Sequence, residues 1–120
     1  MQTLYVILFF IGCALACDII VHVKSDTDKP FQAQVTASNG KKSDKWNLDK
    51  KKVKFSFHQK ADECGLNDWS ITTWEKGVEK STVKVTLDGT GRVTYLVGDD
   101  FKPVQKDRQG AICKGDCAPL

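Results

Sequence analysis

Apolar and polar residues alternate one for one through six separate stretches of this chain, and that period does most to limit its fold. Side chains that return to one face at every second position describe a strand with one face buried. No stretch carries the 3.6-residue period and end caps of a helix. The stretches cover residues 18–24 (Ile19, Val21 and Val23 on one face), 31–37 (Phe31, Ala33, Val35, Ala37), 53–58 (Val53, Phe55, Phe57), 69–74, 81–87 (Val83, Val85, Leu87) and 92–97. Turn-forming residues separate them: 25–30, Ser38-Asn39-Gly40 and Asp88-Gly89-Thr90-Gly91, the last predicted to be a tight hairpin. From Gly98 onward the pattern is lost among Gly, Pro and Cys, and the tail is expected to be extended or irregular. The expected fold is all-β, a small antiparallel β-sandwich or barrel of about six to seven strands stapled by two disulfides.

The N-terminus explains why disulfides enter that expectation. Residues 1–16 carry no charged side chain, are almost wholly apolar from residue 4 to 12, and end Ala14-Leu15-Ala16. This is the layout of a secretory signal peptide cut before Cys17, and the run is too short for a membrane span. The expected organisation is a signal peptide over 1–16 and a single secreted, extracellular β-domain over 17–120, with no transmembrane segment. Cys17 directly after a small residue also suits a lipoprotein signal, but the missing basic residue and Ala14 argue against it. Four cysteines follow the cut: Cys17, Cys64, Cys113 and Cys117. An even number in a small exported domain reads as two disulfides, and three pairings are open. The tail is so poor in large apolar residues that at least one bond is expected to tie it to the body.

Catalytic and metal chemistry find little support. There is no Gly-x-Ser-x-Gly nucleophile turn, no Cys-x-x-Cys redox pair and no paired cluster of zinc ligands. His22 and His58 fall on the polar faces of their strands, where they would meet only if those strands were neighbours. Asp99 and Asp100 are adjacent carboxylates that point apart in an extended chain. No cofactor, metal or enzyme activity is expected, and no Asn-x-Ser/Thr sugar acceptor is present.

Charge and aromatic placement say more. Lys41, Lys42, Lys45, Lys50, Lys51, Lys52 and Lys54 crowd into fourteen residues with only Asp44 and Asp49 against them. That segment carries +5 where the whole chain carries +3. Clustered lysine attracts sulfated or phosphorylated polyanions, and outside a cell the natural partner is a glycosaminoglycan or an acidic protein rather than a nucleic acid. The same charge would also serve as a solvated loop guarding a strand edge. Trp46 lies inside the run, suited to stacking on a sugar ring or to the core. Trp69 and Trp74 fall on opposite faces of one strand; Trp69 shares its face with Ile71 and reads as core, leaving Trp74 outward as a contact.

A chain that begins with Cys17 after cleavage, with about a hundred residues and four cysteines, resembles small secreted nematode β-domain proteins. It is similar in layout to the netrin-like module of metalloprotease inhibitors and to the transthyretin-like family. In the netrin-like inhibitors a second Cys follows the first by two residues; here Asp18 and Ile19 follow Cys17. The resemblance implies a β-rich secreted fold and no individual site residue. The expected function is a non-enzymatic extracellular binding protein for a polyanion or protein partner, with Lys41, Lys42, Lys45, Lys50, Lys51, Lys52, Lys54, Trp46 and Trp74 as contacts. The alternatives are a protease inhibitor acting through Cys17 or an exposed loop, a small-lipid carrier with a cavity among Phe31, Phe55 and Phe57, and a secreted enzyme.

Overall fold

The computed structural model describes residues 17–115 and Cys117; residues 1–16, expected to be a signal peptide, lie outside the described residues. Seven strands follow in order: β1 Cys17–Ser25, β2 Phe31–Thr36, β3 Trp46–Leu48, β4 Lys54–Ala61, β5 Trp69–Glu75, β6 Val78–Val97 and β7 Pro103–Gly115. They form one sheet in the order β3-β2-β5-β6-β1-β4, with β7 on the remaining edge of β6. The architecture is all-β, as the alternation requires, and it curls into a nearly closed barrel.

β6 makes that curl possible. Its first half pairs with β5, from Val78 opposite Glu75 to Val85 opposite Trp69. Its second half pairs with β1, from Gly89 opposite Cys17 to Val97 opposite Ser25. β7 runs along the other edge from Val85 to Val97. The β1–β6 pairing is parallel, so the sheet is not antiparallel throughout as the sequence suggested. Nor is Asp88-Gly89-Thr90-Gly91 a hairpin: the strand continues through it, with a register shift against β7 between Gly89 and Arg92. Leu87, Gly89, Gly91 and Val93 share one parity, so the core-facing phase is kept, and two of those positions simply lack a side chain. Gly91 is where β7 crosses closest; a Cβ there would overlap Gln109 O and Ala111 N. The two glycines bend one strand across the barrel instead of reversing it.

The inward faces meet in a single core that includes Ile19, Val21, Val23, Val35, Leu48, Trp69, Ile71, Val85, Leu87, Val93 and Tyr95. β3 and β4 are the two ends of the sheet order, and Trp46 stacks on Phe55 between them, ring centroids 5.4 Å apart and planes 9° from parallel. That stack seals the seam. Phe31 is buried against Phe101, with centroids 5.8 Å apart. Of the aromatics suggested for a lipid cavity, Phe31 is thus engaged with Phe101 and Phe55 with Trp46 at the seam, and Phe57 is half-buried against the core.

Of the two expectations for the tail, extended or irregular, the extended one holds: β7 is a thirteen-residue strand. The expectation that a disulfide ties it to the body is corrected: Cys113 pairs locally with Cys117, while Cys17 pairs with Cys64. Backbone ladder bonds to β6 hold the tail, so it needs neither a large apolar face nor a long-range bond. The buried side chains of β7 are Pro103, Gln105 and Ala111, with Cys113 half-buried against the core, and Gln105 donates to the Tyr95 hydroxyl at 3.1 Å. The disulfides suggest an oxidising, extracellular-type environment. Among the described residues, no helix is long and apolar enough to cross a membrane.

Candidate functional site

Strand register divides the lysine run between two places. Lys42 bridges to Thr36 at the far end of β2, whereas Lys50, Lys51 and Lys52 follow Leu48, which sits opposite Phe31 at its start. Five strand steps, about 17 Å, separate those positions. Lys41 and Lys42 therefore stand apart from Lys50, Lys51 and Lys52. Lys45 faces another way again, with its Nζ 4.1 Å from the centre of the Trp74 ring. Trp74 lies on the outer face, half-covered, and Trp69 is fully buried, as their odd spacing implied. Trp46 is committed to the Phe55 stack.

The second group of lysines gains a neighbour that the sequence hid. β1 and β4 are antiparallel, and their register sets Lys24 directly opposite Lys54. Like charges facing across an antiparallel pair destabilise it. Neither lysine makes an ion pair among the described residues. The turn before β4 adds Lys50, Lys51 and Lys52, all exposed. It is fastened to the end of β1 by Lys52 N donating to Ser25 O and Ser25 N donating to Val53 O, each 2.9 Å. Lys52 adopts φ 74°, a left-handed conformation that side chains with a Cβ rarely take. Five lysines thus meet at one end of the β1–β4 face. The signal for Lys24 was its outward parity on a strand; pairing partners cannot be read from parity.

The rest of that face is laid out in cross-strand rows. His22 is opposite Ser56 on β4 and Thr94 on β6, and Ile20 is opposite His58 and Arg92. His22 Nδ1 lies 2.6 Å from Ser56 Oγ, and His58 Nε2 lies 2.5 Å from Asp18 Oδ1. The histidine-bearing strands are neighbours after all, yet each histidine has its own partner. Burial lowers the His22 pKa below its ordinary value, and the positive charges of Lys54 and Arg92 lower it further. The Ser56–His22 contact has the reach of a nucleophile–base pair, and among the described residues no carboxylate is hydrogen-bonded to His22. Asp99 accepts from Thr27 Oγ1 and Asp100 from Lys102 N, both within the β6–β7 turn region. Among the described residues, no three His, Cys, Asp or Glu gather where a metal ion could sit. Cys17 is fully buried at the start of β1.

The positive residues of the face are Lys24, Lys50, Lys51, Lys52, Lys54, Lys60 and Arg92, with Asp18 already engaged by His58. Such a surface can hold a chain of anionic groups by charge, with little geometric selectivity, because ammonium groups lack the forked donors of guanidinium. No family model, curated protein or solved structure matches this chain, so the functional reading rests on this geometry.

Proposed function

We propose that this chain is a secreted, non-enzymatic extracellular binding module that holds a sulfated or phosphorylated polyanion on the β1–β4 face. The observation that carries the reading is the unpaired Lys24–Lys54 couple beside the Lys50–Lys52 turn. Opposing two lysines and holding a third at positive φ costs the fold local stability. An anionic chain laid along the strand ends would turn that repulsion into attraction. The affinity would come from counterion release and would fall steeply with salt, and the same logic makes heparin a suitable probe.

The test is retention of the oxidised domain on immobilised heparin across a salt gradient. Lys24→Glu/Lys54→Glu and Lys50→Glu/Lys51→Glu/Lys52→Glu are each expected to move elution down to the void. Lys41→Glu/Lys42→Glu should move it far less. Equal losses from all three variants would mean bulk charge alone is being read and would sink the localised site. Native protein eluting below physiological salt would sink the polyanion reading itself.

A further inference from the structure

The opposite end of β1 carries a different surface. Residues 62–68 leave the body there as a short loop, and Leu66 at its tip is 97% exposed, more than any other large apolar side chain described. Single exposed leucines are common and need no explanation. This one is accompanied: Ile112 on β7 is 59% exposed, and a groove of about 360 Å³ lies between them, lined also by Thr86, Asp88 and Lys114. Asp62, Glu63 and Asp68 flank Leu66 within the loop.

The loop is fastened separately on both sides of Leu66. Before it, Cys64 is buried and bonded to Cys17. After it, Asn67 Nδ2 donates to Ser38 O at 3.3 Å, Thr86 Oγ1 donates to Asp68 Oδ1 at 3.1 Å, and Trp69 is fully buried. The chains on either side of the Leu66–Asn67 peptide also belong to one sheet. β1 and β2 precede it, β5 and β6 follow it, and β1 pairs with β6 while β2 pairs with β5. A cut at this bond would leave both new ends in place.

We propose that the loop inhibits an extracellular serine endopeptidase whose primary pocket is apolar, with Leu66 as the side chain that fills the pocket. The serine oxygen attacks the Leu66 carbonyl carbon and the peptidase base passes the serine proton to the Asn67 nitrogen. The Leu66–Asn67 bond breaks as the Leu66 ester forms. In an ordinary substrate the amine then departs and water hydrolyses the ester. Here Asn67 stays anchored to Ser38 and to the strand behind it, so its amine re-attacks the ester, re-forms the peptide and returns the proton to the serine. Holding two reactants in place favours the reverse step enormously over a free amine. The groove beside Ile112 receives the rim of the peptidase. The loop stands apart from the Lys24–Lys54 couple that carries the polyanion reading, which lies seven strand steps along β1 from Cys17, about 23 Å.

The test measures inhibition of chymotrypsin-like, elastase-like and subtilisin-like peptidases, which have apolar pockets, and of a trypsin-like peptidase, which has an acidic one. The native domain is expected to inhibit at least one of the first three. Leu66→Asp should weaken that inhibition at least roughly 30-fold, the size of a hot-spot loss. Leu66→Arg should transfer inhibition to the trypsin-like enzyme. Leu66 is exposed, and an unchanged melting temperature in both variants checks that the fold is intact. Rapid, complete cleavage after Leu66 would make the loop a substrate and overturn the proposal. So would inhibition that survives Leu66→Asp, or none of the three apolar-pocket enzymes being inhibited.

Discussion

β1 begins and ends in two unlike neighbourhoods. At Cys17 the strand is buried, lies opposite Gly89, and is joined to a loop forty-seven residues away by a disulfide. At Lys24 and Ser25 it is held by backbone bonds to the lysine turn, while its side chain faces a like charge on β4. One end has covalent and steric reinforcement that leaves a loop rigidly displayed. The other accepts repulsion and a left-handed lysine. The contrast teaches that one strand is secured in two ways: by a disulfide where an apolar side chain is displayed, and by backbone hydrogen bonds where charge is concentrated.

The largest effects are expected at the reinforced end. Closing a loop of forty-seven residues restricts the unfolded chain by ~4 kcal/mol in the chain-entropy description, against ~2 kcal/mol for the four-residue separation of Cys113 and Cys117. Cys17→Ala/Cys64→Ala should therefore lower stability to urea by about twice as much as Cys113→Ala/Cys117→Ala. Equal losses would mean that the tail disulfide constrains more than its own turn. Gly91→Ala tests the same end without touching a disulfide. The added methyl overlaps β7 backbone, which cannot yield as a side chain could, and a loss of about 2 kcal/mol or more is expected in urea unfolding.

At the charged end the signs reverse. Lys24→Glu puts an opposite charge across from Lys54 and should stabilise the domain by about 0.5 kcal/mol while weakening heparin retention. Lys52→Asn should do both as well, since Asn tolerates positive φ better than Lys. A gain in melting temperature coupled to a loss of retention separates a functional lysine from an indifferent one. If either variant lost stability, the idea that charge is kept there against the interest of the fold would fail.

Much of this contrast was legible in the sequence, but only the parts that parity and composition can carry. Alternation located the buried faces of β1, β2, β5 and the first half of β6, and it assigned Trp69 inward and Trp74 outward. The lysine excess was plain by counting. Pairing was not legible: nothing local sets Lys24 opposite Lys54, or places Lys42 and Lys50 at opposite ends of β2. The β6 bend was misread because Asp-Gly turn chemistry and a glycine bend use the same residues, and only the conserved parity from Leu87 through Val93 told them apart. β7 was missed because its inward positions are Pro, Gln and Ala, whose burial follows from the ladder with β6 and not from their own hydrophobicity. Leu66 was passed over since a lone leucine in a polar loop acquires meaning only from what fastens the loop.

The smallest expected effect joins the charged end to pH. Burial, Lys54 and Arg92 all disfavour the charged form of His22, so its pKa in the fold lies below the ordinary 6.5. The unfolded chain then binds more protons than the folded one as pH drops through 6.5, and stability falls in that window while remaining full above it. A bound polyanion opposes the positive charge of Lys54 and Arg92 and restores the tendency of His22 to protonate. Heparin affinity should therefore rise as pH falls below 6.5, beyond any change in His22→Gln, even as the free domain becomes less stable. The two opposite pH slopes, read by salt elution and by urea unfolding and both flattened in His22→Gln, would tie the imidazole to the lysine face. Parallel slopes would place the pH response elsewhere on the domain and detach His22 from the binding surface.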